Sequence, residues 1–209
     1  MGYQNMQPKN EDADLLKNVS RETKEKLELY VSLLQQWNTK INLVSKQTVD
    51  QVWDRHILDS LQLASFIEPS VGSIADFGTG GGFPGLVLAI VTGIPITLIE
   101  SDIRKTVFLR EVARQTQLNV NILCKRIEQV DIPPVDLITA RALASLEILL
   151  SFSEYRVKRN GYCLFLKGRQ VDDEIAEAQQ NWEFDYLKIP SKTSSDGVIV
   201  KINQFRHIV

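Results

Sequence analysis

Hydrophobic positions between residues 20 and 41 recur at spacings of three and four: Leu27, Tyr30, Leu34, Trp37 and Ile41. That period predicts an amphipathic helix, and Ser20 followed by acidic Glu22 has the make-up of its N-cap and first turn. A second helix is predicted over about 49–66, ended by Pro69 and Gly72. From Ser73 onward short apolar runs alternate with longer amphipathic stretches. Strands are predicted over 74–77, 94–99, 120–123, 135–139 and 162–166, interleaved with helices over 86–91, 104–116, 143–152 and 171–181. Two last strands, 184–189 and 198–202, are separated by a polar turn around 194–197.

Alternation of this kind predicts an α/β fold with a mostly parallel sheet, doubly wound and covered on both faces. The last connection is too short for a crossover helix, so its two strands should pair antiparallel. The expectation is a seven-stranded, Rossmann-like sheet over 70–209, preceded by an N-terminal helical extension over 1–69 whose first 14 residues are disordered. No internal repeat or low-complexity tract interrupts the pattern.

Composition narrows the class. A chain of 209 residues with 44% hydrophobic and 24% charged residues fits one soluble domain with a modest addition. No apolar run reaches the roughly 20 residues that cross a bilayer. The polar N-terminus lacks a signal-peptide core, so a cytoplasmic monomer with no membrane partner is expected. Cys124 and Cys163 lie in strand-like runs rather than a C-x-x-C pattern, which predicts two reduced, buried thiols and no metal site. The net charge of −2 argues against indiscriminate coating of nucleic acid. Residues 101–170, however, hold 12 Lys+Arg against 7 Asp+Glu, leaving −7 for the remainder. One basic face toward phosphates fits that asymmetry.

The most informative stretch is Asp76-Phe77-Gly78-Thr79-Gly80-Gly81-Gly82-Phe83-Pro84-Gly85, between a predicted strand and a predicted helix. Ligands of α/β sheets bind beyond the carboxyl ends of the strands, where such a turn enters a helix. Glycines let the backbone approach a ligand without an intervening Cβ. The next strand ends at Glu100, whose carboxylate can accept both ribose hydroxyls of an adenine nucleoside. Gly80-x-Gly82-x-x-Gly85 also satisfies the dinucleotide G-x-G-x-x-G pattern. Three details favour S-adenosylmethionine, which carries an ammonium and a sulfonium but no phosphate. Asp76 faces the loop with a charge that repels pyrophosphate. Pro84 removes an N–H from the helix start, where an anion would want it. The antiparallel ending departs from a plain dinucleotide fold.

Read with Arg55-His56-Ile57-Leu58-Asp59-Ser60-Leu61, the loop resembles the bacterial ribosomal RNA small subunit methyltransferase G family, also called glucose-inhibited division protein B. The similarity runs from Trp37-Asn38 and Ile41-Asn42-Leu43 through Glu100-Ser101, Arg104-Lys105, Phe108-Leu109, Arg126-Ile127-Glu128 and Ala140-Arg141-Ala142 to Lys167-Gly168. The resemblance implies the Rossmann-like methyltransferase fold, S-adenosylmethionine as cofactor, and N7 of a guanine in 16S ribosomal RNA as target. It implies that Gly78, Gly80 and Phe83 line the cofactor's methionine and adenosine and that Glu100 takes the ribose with Ser101 beside it; Asp76 and Gly82 of the same loop are expected at the cofactor as well. Ile127 and Glu128 would border the adenine, and Arg141 would stand where cofactor and substrate meet. Lys125 departs from the family, in which glycine is common before the residue matching Arg126.

The chain's omissions agree with such a target. Ala140-Arg141-Ala142 stands after the fourth predicted strand, where amine-directed enzymes present Asn/Asp-Pro-Pro-aromatic. Pro133-Pro134 precedes that strand and stiffens its entry. Cys163, between Tyr162 and Leu164, reads as a core thiol rather than a nucleophile. Guanine N7 has a free lone pair and needs no general base. Arg141 is therefore a positioning residue, either on guanine O6 or a phosphate or capping the cofactor's carboxylate.

Phosphate contacts are expected from Arg55, His56, Arg104, Lys105, Lys167 and Arg169, with Arg110, Arg114, Arg156, Lys158 and Arg159 as further cations. For any one of them a solvated surface role is the commoner outcome. His56 could contact RNA or the cofactor rim, yet a histidine held by Asp59 inside a helical cap is the commoner outcome, and Trp37 and Trp53 are read as core aromatics. The partner is small-subunit rRNA, free or within an assembling particle. Three rivals stand: a nicotinamide-dependent oxidoreductase, a non-catalytic regulator with a nucleoside site, and a small-molecule methyltransferase, against which the basic window and the lack of a bulky substrate-capping domain speak.

Overall fold

The computed structural model describes residues 13–17 and 19–208. The expected disordered lead-in lies outside them, except that Ala13 and Asp14 open a four-residue helix, α1 (Ala13–Leu16).

Among the described residues seven strands form one sheet in the order β3-β2-β1-β4-β5-β7-β6. They are β1 (Ile74–Phe77), β2 (Ile96–Glu100), β3 (Val120–Cys124), β4 (Val135–Arg141), β5 (Val157–Lys167), β6 (Trp182–Pro190) and β7 (Val198–His207). The first five run parallel, and β7 inserts antiparallel between β5 and β6, as the short last connection requires. All four residues of β1 are buried. The strand order reverses beside β1, with β2 on one side and β4 on the other. The crevice of a doubly wound sheet opens at that reversal, beyond the strand ends.

Side chains alternate between two cores. Along β5, Tyr162, Leu164 and Leu166 face one core, and Cys163 and Phe165 face the other. The first core is filled by α2 (Arg21–Asn38), the 49–66 segment, α4 (Gly85–Thr92) and α5 (Ile103–Thr116), through Leu27, Tyr30, Leu34, Leu58, Leu86 and Phe108. The second lies under α6 (Leu146–Ser153) and α7 (Val171–Ala178). The N-terminal helices thus share a core with the sheet. Trp37 lies 5.7 Å from Phe108, ring centre to ring centre, and Trp53 packs on the same core.

Local chemistry sets the ends of α2. Ser20 Oγ accepts the Thr23 N–H at 3.1 Å. Asn38 Oδ1 accepts the N–H groups of Leu43 and Val44 at 2.9 and 3.0 Å, folding the chain back. The 49–66 segment is no single regular helix. It runs as a 3-10 turn (Val49–Gln51), a wide π turn (Trp53–Leu58), α3 (Asp59–Leu61) and a second 3-10 turn (Gln62–Phe66). Such wide turns concentrate at functional sites, and this one carries Arg55 and His56.

Cys163 is fully buried, and burial pushes its thiol up to about 12. Cys124 corrects the expectation of a buried pair: it is exposed, because it is the last residue of β3, an edge strand paired with β2 alone. No helix among the described residues is long and apolar enough to cross a membrane.

Candidate active site

The glycine loop leaves β1 into the crevice with Gly78, Gly80 and Gly82 at φ +61°, +59° and +103°. A Cβ on Gly82 would sit 2.5 Å from Leu86 Cδ1 and 2.6 Å from Tyr30 Oη, so only glycine fits there. Four of the loop's donors are spent internally. Thr79 N–H bonds to Ile99 O, Gly80 N–H to Glu100 Oε2, and the N–H groups of Gly82 and Phe83 to Thr79 O. Its roof is Tyr30, buried on α2, whose hydroxyl donates to Gly81 O at 2.5 Å.

Asp76 lies beneath this loop. It is wholly buried, accepting Gly85 N–H at 3.0 Å and the Thr139 hydroxyl at 2.7 Å. This corrects the expectation that it faces a ligand, because α4 approaches too closely for a gap to remain. A Cβ on Gly85 would meet Asp76 Oδ2 at 2.7 Å and Leu98 Cδ2 at 2.3 Å. Burial pushes the Asp76 carboxyl up to about 6 against the pull of its hydrogen bonds.

Glu100 stands at the tip of β2. Its two oxygens accept Gly80 N–H at 3.0 Å and Asp102 N–H at 2.8 Å. A carboxylate oxygen has two acceptor positions, so each retains capacity for a hydroxyl. Ser101 is exposed beside it, and its carbonyl lies 3.8 Å from Cys124 Sγ. Across the crevice, after β3, a short turn (Ile127–Gln129) buries Ile127 and exposes Glu128. Lys125 N–H bonds to Glu100 O, so this loop keeps its ladder despite the departure from glycine.

Arg141 ends β4 and is the most constrained cation of the site. Its guanidinium reaches Arg55 O at 3.2 Å, Asp59 Oδ2 at 3.4 Å and His56 Nδ1 at 2.9 Å, and lies 4.9 Å from the Phe83 ring centre. Arg141 can only donate, so Nδ1 is an acceptor, and His56 is neutral with its Nε2–H on Thr48 Oγ1 at 2.9 Å. Burial and the charges of Arg141 and Arg55 hold His56 down at about 3. Both expectations for His56 are thereby corrected. Asp59 does not hold it, and both ring nitrogens are engaged inside the protein instead of facing a phosphate. The imidazole stacks 5.0 Å from Phe83, which stacks 5.3 Å from Tyr30. A continuous aromatic column therefore runs from α2 to Arg141.

Beside Arg141 opens a cavity of about 780 Å³. Its walls are Arg55 and Asp59, the 141–144 turn, the end of β5, and the β6–β7 turn from Thr193 to Gly197. Ala142 takes a left-handed φ of 49° at the mouth, and Leu143 lies against Gly78. Asp59, Leu143 and the Thr193–Gly197 turn escaped sequence reasoning. Asp59 lies within a motif already singled out, but nothing local marks a turn more than 130 residues away as its neighbour.

The predicted phosphate-binding cations separate by environment. Arg55 is exposed at the cavity rim, Arg104 is exposed and paired with Asp102, and Lys105 is half-buried. Arg169 is exposed and paired with Asp196. Lys167 is corrected: its side chain is 6% exposed and bound to Ala144 O and Glu174, so it clamps the turn after β4. Arg156 is likewise internal, donating to the carbonyls of Ile127, Val130 and Phe152.

A family model described as rRNA small subunit methyltransferase G matches residues 23–201. The chain belongs to that family. It is 52% identical to the ribosomal RNA small subunit methyltransferase G of Gluconobacter oxydans, over 91% of this chain and 98% of that protein. Its counterpart in Granulibacter bethesdensis is 47% identical over 91% of this chain and 89% of that one. Among solved structures, the ribosomal protein L11 methylase of Lactobacillus delbrueckii superposes with a TM-score of 0.60 at 17% identity, over 72% of this chain and 78% of that one. TYW2 of M. jannaschii, solved with AdoMet, gives 0.58 at 16%, over 81% and 80%. These two likenesses show that the chain has the Rossmann-like methyltransferase fold.

Proposed function

We propose that this protein transfers the methyl group of S-adenosylmethionine to N7 of a guanine in small-subunit ribosomal RNA. Family membership supplies the reaction class. The observation that carries the cofactor is the loop whose N–H groups at 79, 80, 82 and 83 are already bonded within the protein. A pyrophosphate needs such donors free, and the buried Asp76 beneath adds an opposing charge. A dinucleotide oxidoreductase is disfavoured on both counts.

The residues present fit the cofactor. Glu100 retains acceptor capacity for two ribose hydroxyls, Gly80 gives backbone access beside Gly78, over which Leu143 lies, and Ile127 with Glu128 borders the adenine. Asp76 favours the ammonium through the loop rather than by contact. When bound, S-adenosylmethionine supplies an activated methyl that passes to the N7 lone pair as the S–C bond breaks, with no proton to remove. The chain's own part is positional. Arg141, fixed by Asp59, His56 and Arg55 O, directs its remaining donor capacity to guanine O6 or a neighbouring phosphate. Neutral His56 adds no charge against the cationic purine that forms. Phosphates of the RNA fall to Arg55, Arg104, Lys105 and Arg169.

The test is to incubate the protein with labelled S-adenosylmethionine and undermodified small-subunit rRNA, free or in particles, and then identify the labelled nucleoside. 7-Methylguanosine is expected. Label on an exocyclic amine or a pyrimidine carbon would refute the N7 assignment, and NADH binding without S-adenosylmethionine binding would refute the cofactor.

A further inference from the structure

Gln62 is a buried glutamine, 1% exposed, that spends its amide on the distant β6–β7 turn. Its Nε2 donates to Ser191 Oγ at 3.0 Å and to Asp59 Oδ1 at 3.0 Å, and its Oε1 accepts Lys192 N–H at 2.9 Å. Asp59 Oδ1 accepts the Thr193 hydroxyl at 2.8 Å, while Oδ2 of the same carboxylate takes Arg141. The turn is also closed on itself, Ser191 N–H to Gly197 O at 2.9 Å and Gly197 N–H to Ser194 O at 3.1 Å. On its far side Asp196 pairs with Arg169 at 2.7 Å. Buried polar groups are paired in native proteins, and here the pairing ties the turn to the same carboxylate that holds Arg141.

This turn forms the cavity wall that stands across from the 141–144 turn. The lining suits one nucleotide: the aliphatic faces of Leu143 and Leu166, the cations Arg55 and Arg141, and hydroxyls from Ser194 and Ser195. The lining carboxylates Asp59, Glu174 and Asp196 are paired with Arg141, Lys167 and Arg169. The volume, about 780 Å³, lies in the range of small-molecule sites. A guanine whose N7 is to reach a buried methyl donor must leave its stack, and this is the space beside Arg141 with room to receive it.

Resting on the proposed N7 chemistry, we infer that the Ser191–Gly197 turn is the acceptor-nucleotide wall and that Gln62, with Asp59, is the positioning residue that holds it in register with Arg141. Gln62 touches neither reactant and acts through the turn. Its removal should therefore weaken acceptor engagement while leaving the donor side, built from β1 and β2, intact.

The experiment compares wild type with Gln62→Met, nearly isosteric but unable to hold the turn, and Ser194→Tyr, which fills the cavity from its wall. For Gln62→Met the KM for undermodified small-subunit rRNA should rise about tenfold, the effect of losing one or two buried hydrogen bonds. Its Kd for S-adenosylmethionine should stay within about twofold. Ser194→Tyr should lose methyl transfer while still binding S-adenosylmethionine, and it decides the matter alone if Gln62→Met does not fold. An unchanged KM in a folded Gln62→Met, or in Ser194→Tyr, overturns the inference. So does a parallel loss of S-adenosylmethionine binding, which would place the turn in the general scaffold. A wild-type enzyme that labels no guanine N7 sinks the underlying function instead, before any variant is compared.

Discussion

His56 and Asp76, on either side of the glycine loop's Phe83–Gly85 end, impose opposite pH dependences on the fold. Native His56 titrates at about 3 because burial and two arginines penalise its charged form, whereas an unfolded histidine takes a proton near 6.5. Below about 6.5 the unfolded chain binds a proton that the native protein refuses, so stability falls as pH drops toward 3. Asp76 works the other way. Its native carboxyl titrates at about 6 against roughly 3.9 unfolded, so the native protein takes its proton first and gains stability as pH falls from 6 to 4. Each slope is at most ~1.4 kcal/mol per pH unit, and between pH 6 and 4 they oppose. His56→Gln keeps an acceptor for Arg141 but removes one slope. Denaturant titrations from pH 4 to 7 should show this variant holding or gaining stability on acidification where wild type loses more. Identical profiles would mean that His56 is protonated in the fold. Asp76→Asn retains the bond from Gly85 and removes the charge. It should weaken S-adenosylmethionine binding by calorimetry but spare methylthioadenosine, which has neither ammonium nor sulfonium; equal effects on both ligands would refute a field acting on those charges.

At the scale of elements, the β1–loop–α4 unit depends on one close approach, and a single methyl probes it. Gly85→Ala would drive a Cβ into Leu98 and Asp76 at 2.3 and 2.7 Å. Overpacking of this kind costs about 1–3 kcal/mol, so the melting temperature should fall together with cofactor affinity. Tyr30→Phe keeps the stack on Phe83 but loses the hydroxyl bond to Gly81 O. About 1 kcal/mol should go, with a weaker hold on S-adenosylmethionine and an unchanged KM for RNA. A melting temperature equal to wild type would mean that α2 does not brace the loop. This element was half legible in the sequence. The strand over 74–77, the glycine run and Glu100 at the next strand's tip follow from local pattern, because a tight strand-to-helix turn writes its constraint into consecutive residues. The roof did not follow. Tyr30 appears in the sequence only as one apolar position of an amphipathic helix, and its hydroxyl finds a partner 51 residues away. The π turn at Trp53–Leu58 was equally hidden, since period 3.6 and a single wide turn differ by less than one residue over such a span.

For the whole molecule the question is how a chain of net charge −2 engages a polyanion. Counting cations along the sequence marked residues 101–170 as basic, but it could not tell which of them the fold had already used. Lys167 and Arg156 look like surface cations in sequence and serve as internal clamps, bound to Glu174 and backbone carbonyls. Arg55, Arg104 and Arg169 reach the surface around the crevice. Two groups of variants should therefore fail in different ways. Lys167→Ala and Arg156→Ala strip part-buried acceptors of a charged donor at ~1–3 kcal/mol each, lowering the melting temperature with no change in the salt dependence of RNA binding. Arg55→Ala and Arg104→Ala should melt within a degree or two of wild type, because exposed pairs contribute little. Each of these should instead weaken RNA binding, and removing one phosphate-neutralising cation should flatten the slope of log affinity against log salt by about 0.7–0.9. Measuring that slope for all four variants decides the case. If Arg55→Ala and Arg104→Ala leave it unchanged, the RNA approaches from another face, and the crevice opening beyond β1 and β4 would have to be reached by a different route.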